Sequence, residues 1–273
     1  MTPLHAIILG LVQGLTEWLP VSSSGHLVLL QEFLGLDVPI FFDLMLHLAT
    51  VIVVTFVFRG DILGIFRSLK RTFRLKREGM NLKDILKSER PSLLAWFVVL
   101  GSIPTAILGF VLYDLIKSLF SNLLVIGIAL LATGTILALT IPSRKKKEFM
   151  TTYDALSIGL AQGISLVPGL SRSGLTISLG MLRGIDRELA ARYSFLLSIP
   201  AILGAGTFEL LEVMGNPPPI DPFLLAVAFL SSLIFGYLSI KALWFIIKRA
   251  KLYYFSAYCF LIGSIVLSYA LLA

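Results

Sequence analysis

The chain has 273 residues, of which 57% are hydrophobic, and its mean hydropathy is +0.91. A soluble domain this apolar could not cover its surface with polar groups, so the composition indicates an integral membrane protein. The formal charge of +7 does not indicate a nucleic-acid partner, because the basic residues lie in short segments between apolar runs. With Cys259 as its single cysteine, the chain has no intrachain disulfide and no thiolate metal cluster, and three histidines argue against a multi-histidine metal cage.

Six apolar segments reach the length of about 20 residues that crosses roughly 30 Å of hydrocarbon. They lie at residues 40–58, 91–113, 120–141, 189–211, 222–247 and 252–272. Two further apolar segments, 4–35 and 154–184, are interrupted near their middles by proline, serine and glycine. Each half of such a segment is too short to span, so we predict two re-entrant helical hairpins with their tips at membrane depth.

The two interrupted segments contain copies of one sequence pattern. Residues 10–15 (GLVQGL) match residues 159–164 (GLAQGI) without a gap. The same offset pairs three residues of the first tip with three of the second, namely Ser22, Ser24 and Gly25 with Ser171, Ser173 and Gly174. We therefore predict a single membrane domain, residues 1–273, built from two repeats at 1–141 and 153–273.

Each predicted repeat contains one hairpin and three spans. Three is an odd number, so the second repeat enters the membrane upside down, and the two tips are expected to meet near the midplane. The predicted fold is therefore an all-α integral membrane protein with six transmembrane helices, two re-entrant helical hairpins and an inverted-topology repeat.

Charge predicts the orientation in the membrane. Four segments, 59–90, 144–147, 183–192 and 241–251, contain 21 of the 23 lysines and arginines, and the six-span arrangement puts all four on one side. By the positive-inside rule that side is the cytoplasm, so segment 59–90 is predicted to be a cytoplasmic loop that contacts anionic lipid. The first hairpin then enters from the external side of the plasma membrane, and a site on its tip is predicted to open there.

The first tip contains polar groups that are costly inside a membrane and therefore indicate function. Gln13 and Glu17 lie one helical turn apart and share a face. Pro20 ends the first half-helix, and Ser22 and Ser23 stand where an N-cap would begin the returning half-helix. The free N–H groups at that helix end favour an anion.

The second tip has the same arrangement of residues but differs in one charged group. It offers Arg172, the preferred planar partner of phosphate, where the first tip has an acid. In the first tip Gly25 lets backbone approach a ligand closely, and His26 is the imidazole beside the loop. The other positions expected to contribute to substrate binding are Gln13, Ser22, Ser24, Ser171, Ser173 and Gly174.

Together these groups predict a site for a phosphate group. The carboxylate of Glu17 would repel such an anion unless it bound a divalent cation or handled a proton, and oxygen ligation suits Mg²⁺ or Ca²⁺. Hydrolysis of a phosphate would further require a nucleophile, charge neutralisation and a proton donor for the leaving group.

Structural roles stay open for the same residues. The serines and glycines could permit close helix packing. Arg172 could pair with Glu17, and Glu17 could be a neutral structural acid. His26 could be a hydrogen-bonded core histidine, and His5 and His47 could be packing or interfacial residues. Gln13 and Gln162 could form structural hydrogen bonds.

Residues 13–26 (QGLTEWLPVSSSGH) resemble the first signature of the undecaprenyl-diphosphate phosphatases, the bacitracin-resistance family. Residues 168–178 (PGLSRSGLTIS) resemble the second signature, and the resemblance extends over nearly the whole chain. It implies hydrolysis of a polyprenyl diphosphate to the monophosphate and inorganic phosphate, which recycles the lipid carrier for cell-envelope glycan synthesis.

The resemblance also implies roles for individual residues. Arg172 binds the diphosphate and stabilises charge in the transition state, and Glu17 holds the metal or acts as a base. Ser23 is the nucleophile, while His26 shuttles protons or itself attacks phosphorus. Gln13 stands at the family's first acidic position and, being neutral, cannot be an anionic metal ligand. Hydrogen bonds are expected from Ser171, Ser173 and Thr176.

A transporter that flips a polyprenyl phosphate is the alternative function, because inverted repeats with helix breaks at the midplane are also a transporter design. The combination of Glu17 and His26 favours hydrolysis, since a passive anion site needs no carboxylate. The expected partners are the lipid substrate and membrane lipids. The sequence leaves open whether the protein also forms a homo-oligomer.

Overall fold

The computed structural model describes residues 1–81, 90–140, 147–214, 220–248 and 252–272. Within these ranges the chain is built from α-helices, with one isolated β-bridge between Lys147 and Ile185. The helices are α1 (Pro3–Trp18), α2 (Ser23–Leu34), α3 (Ile40–Val57), α4 (Arg59–Arg77), α5 (Arg90–Val111), α6 (Tyr113–Leu119), α7 (Leu123–Ala138), α8 (Thr152–Ile164), α9 (Arg172–Leu182), α10 (Arg187–Val213), α11 (Pro222–Lys248) and α12 (Tyr254–Leu272).

Five helices are long and apolar enough to cross a membrane, namely α3, α5, α10, α11 and α12. The predicted span at 120–141 is divided: α6 and α7 form a sixth span only when taken together, and they bend by 98° at their break. Asn122 begins α7, since its side chain accepts the Val125 N–H at 3.2 Å. The prediction of an all-α, multi-pass membrane protein is confirmed.

The two interrupted segments form helical hairpins. Their four helices, α1, α2, α8 and α9, have 16, 12, 13 and 11 residues. At about 1.5 Å per residue they are roughly 17 to 24 Å long, less than the hydrocarbon thickness of about 30 Å. Each helix is therefore too short to span alone, which is the property that predicted the re-entrant hairpins.

The glycines of the repeated pattern let each hairpin pack closely against a long helix of the other repeat. A Cβ atom added at Gly10 of α1 would lie 2.2 Å from the Ala228 carbonyl oxygen of α11. One added at Gly159, the equivalent position of α8, would lie 2.0 Å from the Gly101 carbonyl oxygen of α5. Gly14 lies one turn after Gly10, and small residues at this spacing are typical of tight helix contacts in membranes.

The helix contacts repeat when the two halves are exchanged. The pairing of α1 with α11 corresponds to that of α8 with α5, and the two first spans, α3 and α10, contact each other, as do α7 and α12. This pattern agrees with two related repeats, but the bounds of the repeats and the single domain stay predictions. The inverted orientation of the repeats stays a prediction, and the predicted end of the first repeat at residue 141 lies outside the described residues.

Replacing Gly10 with alanine is expected to lower the melting temperature, because the added methyl group has no room against the α11 backbone. Overpacking of this kind costs about 1–3 kcal/mol. Gly204→Ala in α10 is the matched control, since a Cβ atom there would meet nothing within 4 Å. Thermal unfolding in detergent provides the comparison, and a Gly10→Ala protein as stable as wild type would contradict this packing.

The basic segment 59–90, predicted as a cytoplasmic loop, begins with the 19-residue helix α4. Phe66 and Phe73 are each 65% exposed on this helix, beside basic residues such as Arg67 and Lys70. A helix with adjoining apolar and basic faces is typical of a membrane interface, which agrees with the expected contact to anionic lipid. Part of the predicted basic set lies outside the described residues, namely Lys83, Lys87, Arg144, Lys145, Lys146, Arg249 and Lys251.

Candidate active site

The two hairpin tips contact each other, as predicted. A Cβ atom added at Gly25 would lie 3.2 Å from the Gly169 Cα atom, so the second tip fills the space beside Gly25. The Ser173 hydroxyl donates to the Leu19 carbonyl oxygen at 3.1 Å. Gly169 has a φ of +93°, and a Cβ atom there would lie 2.6 Å from the Ile126 carbonyl oxygen. Only glycine fits this turn.

Glu17 lies at the centre of the joined tips and is buried. Its Oε1 atom is 2.5 Å from Arg172 Nη2. Its Oε2 atom accepts hydrogen bonds from the Ser23 hydroxyl at 2.6 Å and from Gln13 Nε2 at 2.9 Å, and it lies 3.5 Å from His47 Nε2. A buried carboxylate is tolerated when it is paired and hydrogen-bonded in this way. The Glu17–Arg172 neighbourhood inferred from the repeat is confirmed.

Arg172 opens α9 and uses only one end of its guanidinium group for Glu17. Its Nη1 atom is buried and has no hydrogen-bond partner among the described residues. The group lies over the Trp18 ring, with Cζ 5.3 Å from the ring centroid. Ser171 caps the same helix by accepting the Gly174 N–H at 3.1 Å. An unpartnered guanidinium nitrogen beside a helix N-terminus is suited to receive a phosphate oxygen.

Ser22 caps α2 in the first tip from a strained backbone position. Its φ of 70° is the only positive value of a non-glycine residue in the described ranges, and such strain costs about 1–3 kcal/mol and clusters at functional sites. Its hydroxyl accepts the Gly25 N–H at 3.3 Å and lies 3.4 Å from the Ser24 hydroxyl. Its carbonyl oxygen is 2.7 Å from His26 Nδ1, while His26 Nε2 is 2.8 Å from the Tyr258 hydroxyl.

The hydroxyl groups of the second tip have partners inside the protein. The Ser171 and Ser173 hydroxyls lie 3.3 Å apart. Thr176 is fully buried, donates to the Arg172 carbonyl oxygen at 2.7 Å and lies 2.6 Å from the Ser194 hydroxyl. Thr176 therefore links α9 to α10. Its hydrogen bond to a substrate stays a prediction.

The two repeat-related glutamines have different surroundings. Gln13 contacts Glu17 in the site, and its Oε1 atom is buried without a partner among the described residues. Gln162 instead donates to the Thr105 hydroxyl and to the Leu197 carbonyl oxygen, both at 3.3 Å, and its Oε1 atom is likewise buried without a partner among the described residues. Gln162 thus forms structural hydrogen bonds, which is the alternative that the sequence left open for it.

Sequence reasoning missed two side chains of the site. His47 was expected to be a packing or interfacial residue, but it lies against Glu17, and its Nδ1 atom is 2.8 Å from the Asp43 carbonyl oxygen. A usable signal existed, because an ionisable residue inside an apolar span indicates function. Tyr258 reaches His26 from a position 232 residues away in the sequence, and no local pattern marks it.

The fold and the site define a multi-pass membrane protein that holds an arginine, a carboxylate and capped helix ends where two broken segments meet. Residues 6–265 match the family of bacitracin resistance protein BacA. This chain belongs to that family.

Curated relatives cover nearly the whole chain. A protein named undecaprenyl-diphosphatase from Desulforapulum autotrophicum is 43% identical over 265 residues, which is 96% of each chain. A protein of the same name from Methanosphaera stadtmanae is 41% identical over 269 residues, again 96% of each chain. Another, from Alkaliphilus metalliredigens, is 41% identical over 278 residues and covers both chains completely, at 100% each.

Proposed function

We propose that this protein is an undecaprenyl-diphosphate phosphatase that hydrolyses the lipid diphosphate to the monophosphate and inorganic phosphate. The observation that carries this proposal is the hydroxyl of Ser23 held by Glu17 beside the guanidinium group of Arg172. The names of full-length relatives support it. They do not favour the transporter alternative, and a serine held by a carboxylate has no evident use in carrying an anion. The product would return to cell-envelope glycan synthesis as a lipid carrier.

Ser23 is the nucleophile in this proposal, and Glu17 is its base. The two side chains are 2.6 Å apart, within the range of an activated nucleophile. Glu17 takes the hydroxyl proton as the Ser23 oxygen bonds to the terminal phosphorus and the bridging P–O bond breaks, which releases the lipid monophosphate. Water then attacks the phosphoserine, releases inorganic phosphate and restores the hydroxyl. His26 moves protons during these steps in this proposal.

Charge on the phosphoryl group is stabilised by Arg172 and by the N-termini of α2 and α9. The first amides of each helix have no intrahelical acceptor and carry the positive end of the helix dipole. Preorganised donors of this kind contribute most when charge develops away from water. The cap residues Ser22 and Ser171 fix both helix starts, which explains their hydroxyl groups without direct contact to the substrate.

A divalent cation, Mg²⁺ or Ca²⁺, is part of this proposal. The described ranges contain no cluster of three or more histidine, cysteine or acidic residues that could hold a metal. They do contain the Glu17 carboxylate and the unpartnered Gln13 Oε1 atom, and Mg²⁺ is commonly held by one or two carboxylates together with substrate phosphates. This donor set fits a cation shared with the substrate, which would neutralise diphosphate charge.

The direct test is phosphate release by the purified protein in detergent from a long-chain polyprenyl diphosphate. We expect release in the presence of Mg²⁺ or Ca²⁺ and loss of release after EDTA. If the protein releases no phosphate in any condition but moves lipid across vesicle membranes, the transporter function is correct instead. If release is unaffected by EDTA, the cation is not part of the mechanism.

We further propose that the site opens to the external side of the plasma membrane. The bias of basic residues supports this orientation, since the first hairpin then enters from outside. In a Cys259→Ser background, a membrane-impermeant thiol reagent added to intact cells is expected to label Asp37→Cys and not Glu78→Cys. Both positions are exposed, so accessibility in the protein is matched. The opposite labelling pattern would reverse the orientation.

A further inference from the structure

The position of one proton on His26 follows from its contact with Ser22. His26 Nδ1 lies 2.7 Å from the Ser22 carbonyl oxygen, and a carbonyl oxygen can only accept. Nδ1 therefore carries a proton, and its N–H group donates to the Ser22 carbonyl oxygen. Since the Ser22 backbone is held in its positive-φ conformation by the cap of α2, the acceptor is fixed in place. Proton exchange at His26 is thereby confined to Nε2.

The Tyr258 hydroxyl contacts Nε2, the other ring nitrogen of His26. It lies 2.8 Å from His26 Nε2, and the planes of the two rings differ by only 9°. With Nδ1 protonated, the Nε2 atom of a neutral His26 is an acceptor, so the Tyr258 hydroxyl donates to it. The two hydrogen bonds thus fix the tautomer of the imidazole and restrain its orientation.

Packing of α12 holds Tyr258 at this point. The neighbouring Cys259 thiol is buried and contacts the Pro20 carbonyl oxygen of the first tip at 3.6 Å. Further along the helix, a Cβ atom added at Gly263 would lie 3.1 Å from the Gly127 carbonyl oxygen of α7. The backbone around Tyr258 is therefore anchored on both the tip and α7. The last helix of the second repeat completes the tip of the first repeat.

We propose that Tyr258 is a positioning residue for His26. It keeps Nε2 of the imidazole in one place and in the acceptor state, so that this nitrogen is ready for the proton transfers of the reaction. The inference deepens the proposed hydrolysis and rests on it. Substrate binding does not depend on Tyr258, because Arg172 and the two helix N-termini hold the diphosphate.

The test is the Tyr258→Phe protein, which loses one hydroxyl and keeps the ring. We expect kcat to fall about tenfold or more, since positioned acid–base groups contribute 10²–10⁴-fold, while KM changes by less than about twofold. Tyr269→Phe is the matched control, because it removes a hydroxyl from an exposed tyrosine of the same helix. Its kcat and KM are expected to equal those of wild type. Melting temperatures of both variants in detergent check that the fold is retained.

A second measurement reports on His26 without activity. The chain has three histidines, so ¹⁵N-labelled imidazole signals are few and can be assigned with His26→Ala. Wild type is expected to show His26 protonated at Nδ1, and Tyr258→Phe should move the His26 Nε2 signal but not those of His5 and His47. An unmoved Nε2 signal, or a moved signal with wild-type kcat, overturns the proposal. If the wild-type protein releases no phosphate, the proposed hydrolytic function is wrong. The His26 Nε2 signal then still shows whether Tyr258 positions His26.

Discussion

Ser23→Ala is expected to abolish phosphate release, with kcat lowered on the order of 10³-fold or more, as for the loss of other enzymatic nucleophiles. The substitution removes the oxygen that Glu17 holds at 2.6 Å and leaves the carboxylate without a proton to accept. Lipid binding should persist, because Arg172 and the helix N-termini are unchanged. Phosphate release in detergent and binding of the lipid diphosphate measure the two effects separately.

Ser24→Ala provides the matched control for this variant. The Ser24 hydroxyl lies one residue further along α2 and is 3.4 Å from the Ser22 hydroxyl. Its loss should lower kcat far less than the loss of Ser23. Near wild-type turnover in Ser23→Ala would remove Ser23 from the mechanism. If His26→Ala were then inactive, attack on phosphorus by the imidazole would become the better hypothesis.

The hairpins and the meeting of their tips could be predicted because their signals are local. Proline, serine and glycine inside apolar runs break helices that would otherwise span, and the repeated pattern shows that the break occurs twice. Three spans per repeat invert the second repeat, and this predicts Arg172 beside Glu17 although 155 residues separate them. A topological rule supplied this long-range contact where no pairwise signal exists.

The rest of the site depends on tertiary packing that sequence patterns do not encode. His47 and Tyr258 lie in apolar helices whose rotation about their axes is set by neighbours, so their direction toward Glu17 and His26 could not be read from spacing. Thr176 is the converse case. Its motif position can be recognised in the sequence, but the contact of its hydroxyl with Ser194 of α10 depends on tertiary packing.

Two helical features were also missed. Charge dominates segment 59–90 and suggested a loop, whereas the first part forms the helix α4. The 98° bend between α6 and α7 occurs within an apolar run, where only the N-cap residue Asn122 marked a helix start. In both cases the local helix signal was present in the sequence, but the overall charge or hydrophobicity of the segment was the stronger signal.

Arg172→Lys is expected to reduce kcat on the order of 10²–10³-fold while the protein still folds. Lysine keeps the positive charge that Glu17 requires, so the buried carboxylate is not left unpaired. It has no second nitrogen to replace Nη1, the donor that is unpartnered in the structure and suited to a phosphate oxygen. Losing one preorganised donor to a transition-state oxyanion has an effect of this size.

Arg192→Lys is the matched control for that substitution. Arg192 forms an ion pair of similar length with Asp61, at 2.6 Å, between α10 and α4, although this pair is more exposed than that of Arg172 with Glu17. Its replacement should leave kcat unchanged and alter the melting temperature no more than Arg172→Lys does. Near wild-type turnover in Arg172→Lys would show that Arg172 acts only as a charge partner of Glu17. A large loss of kcat confined to Arg172→Lys would instead mean that the reaction needs the guanidinium fork, because charge at Glu17 is preserved in both variants.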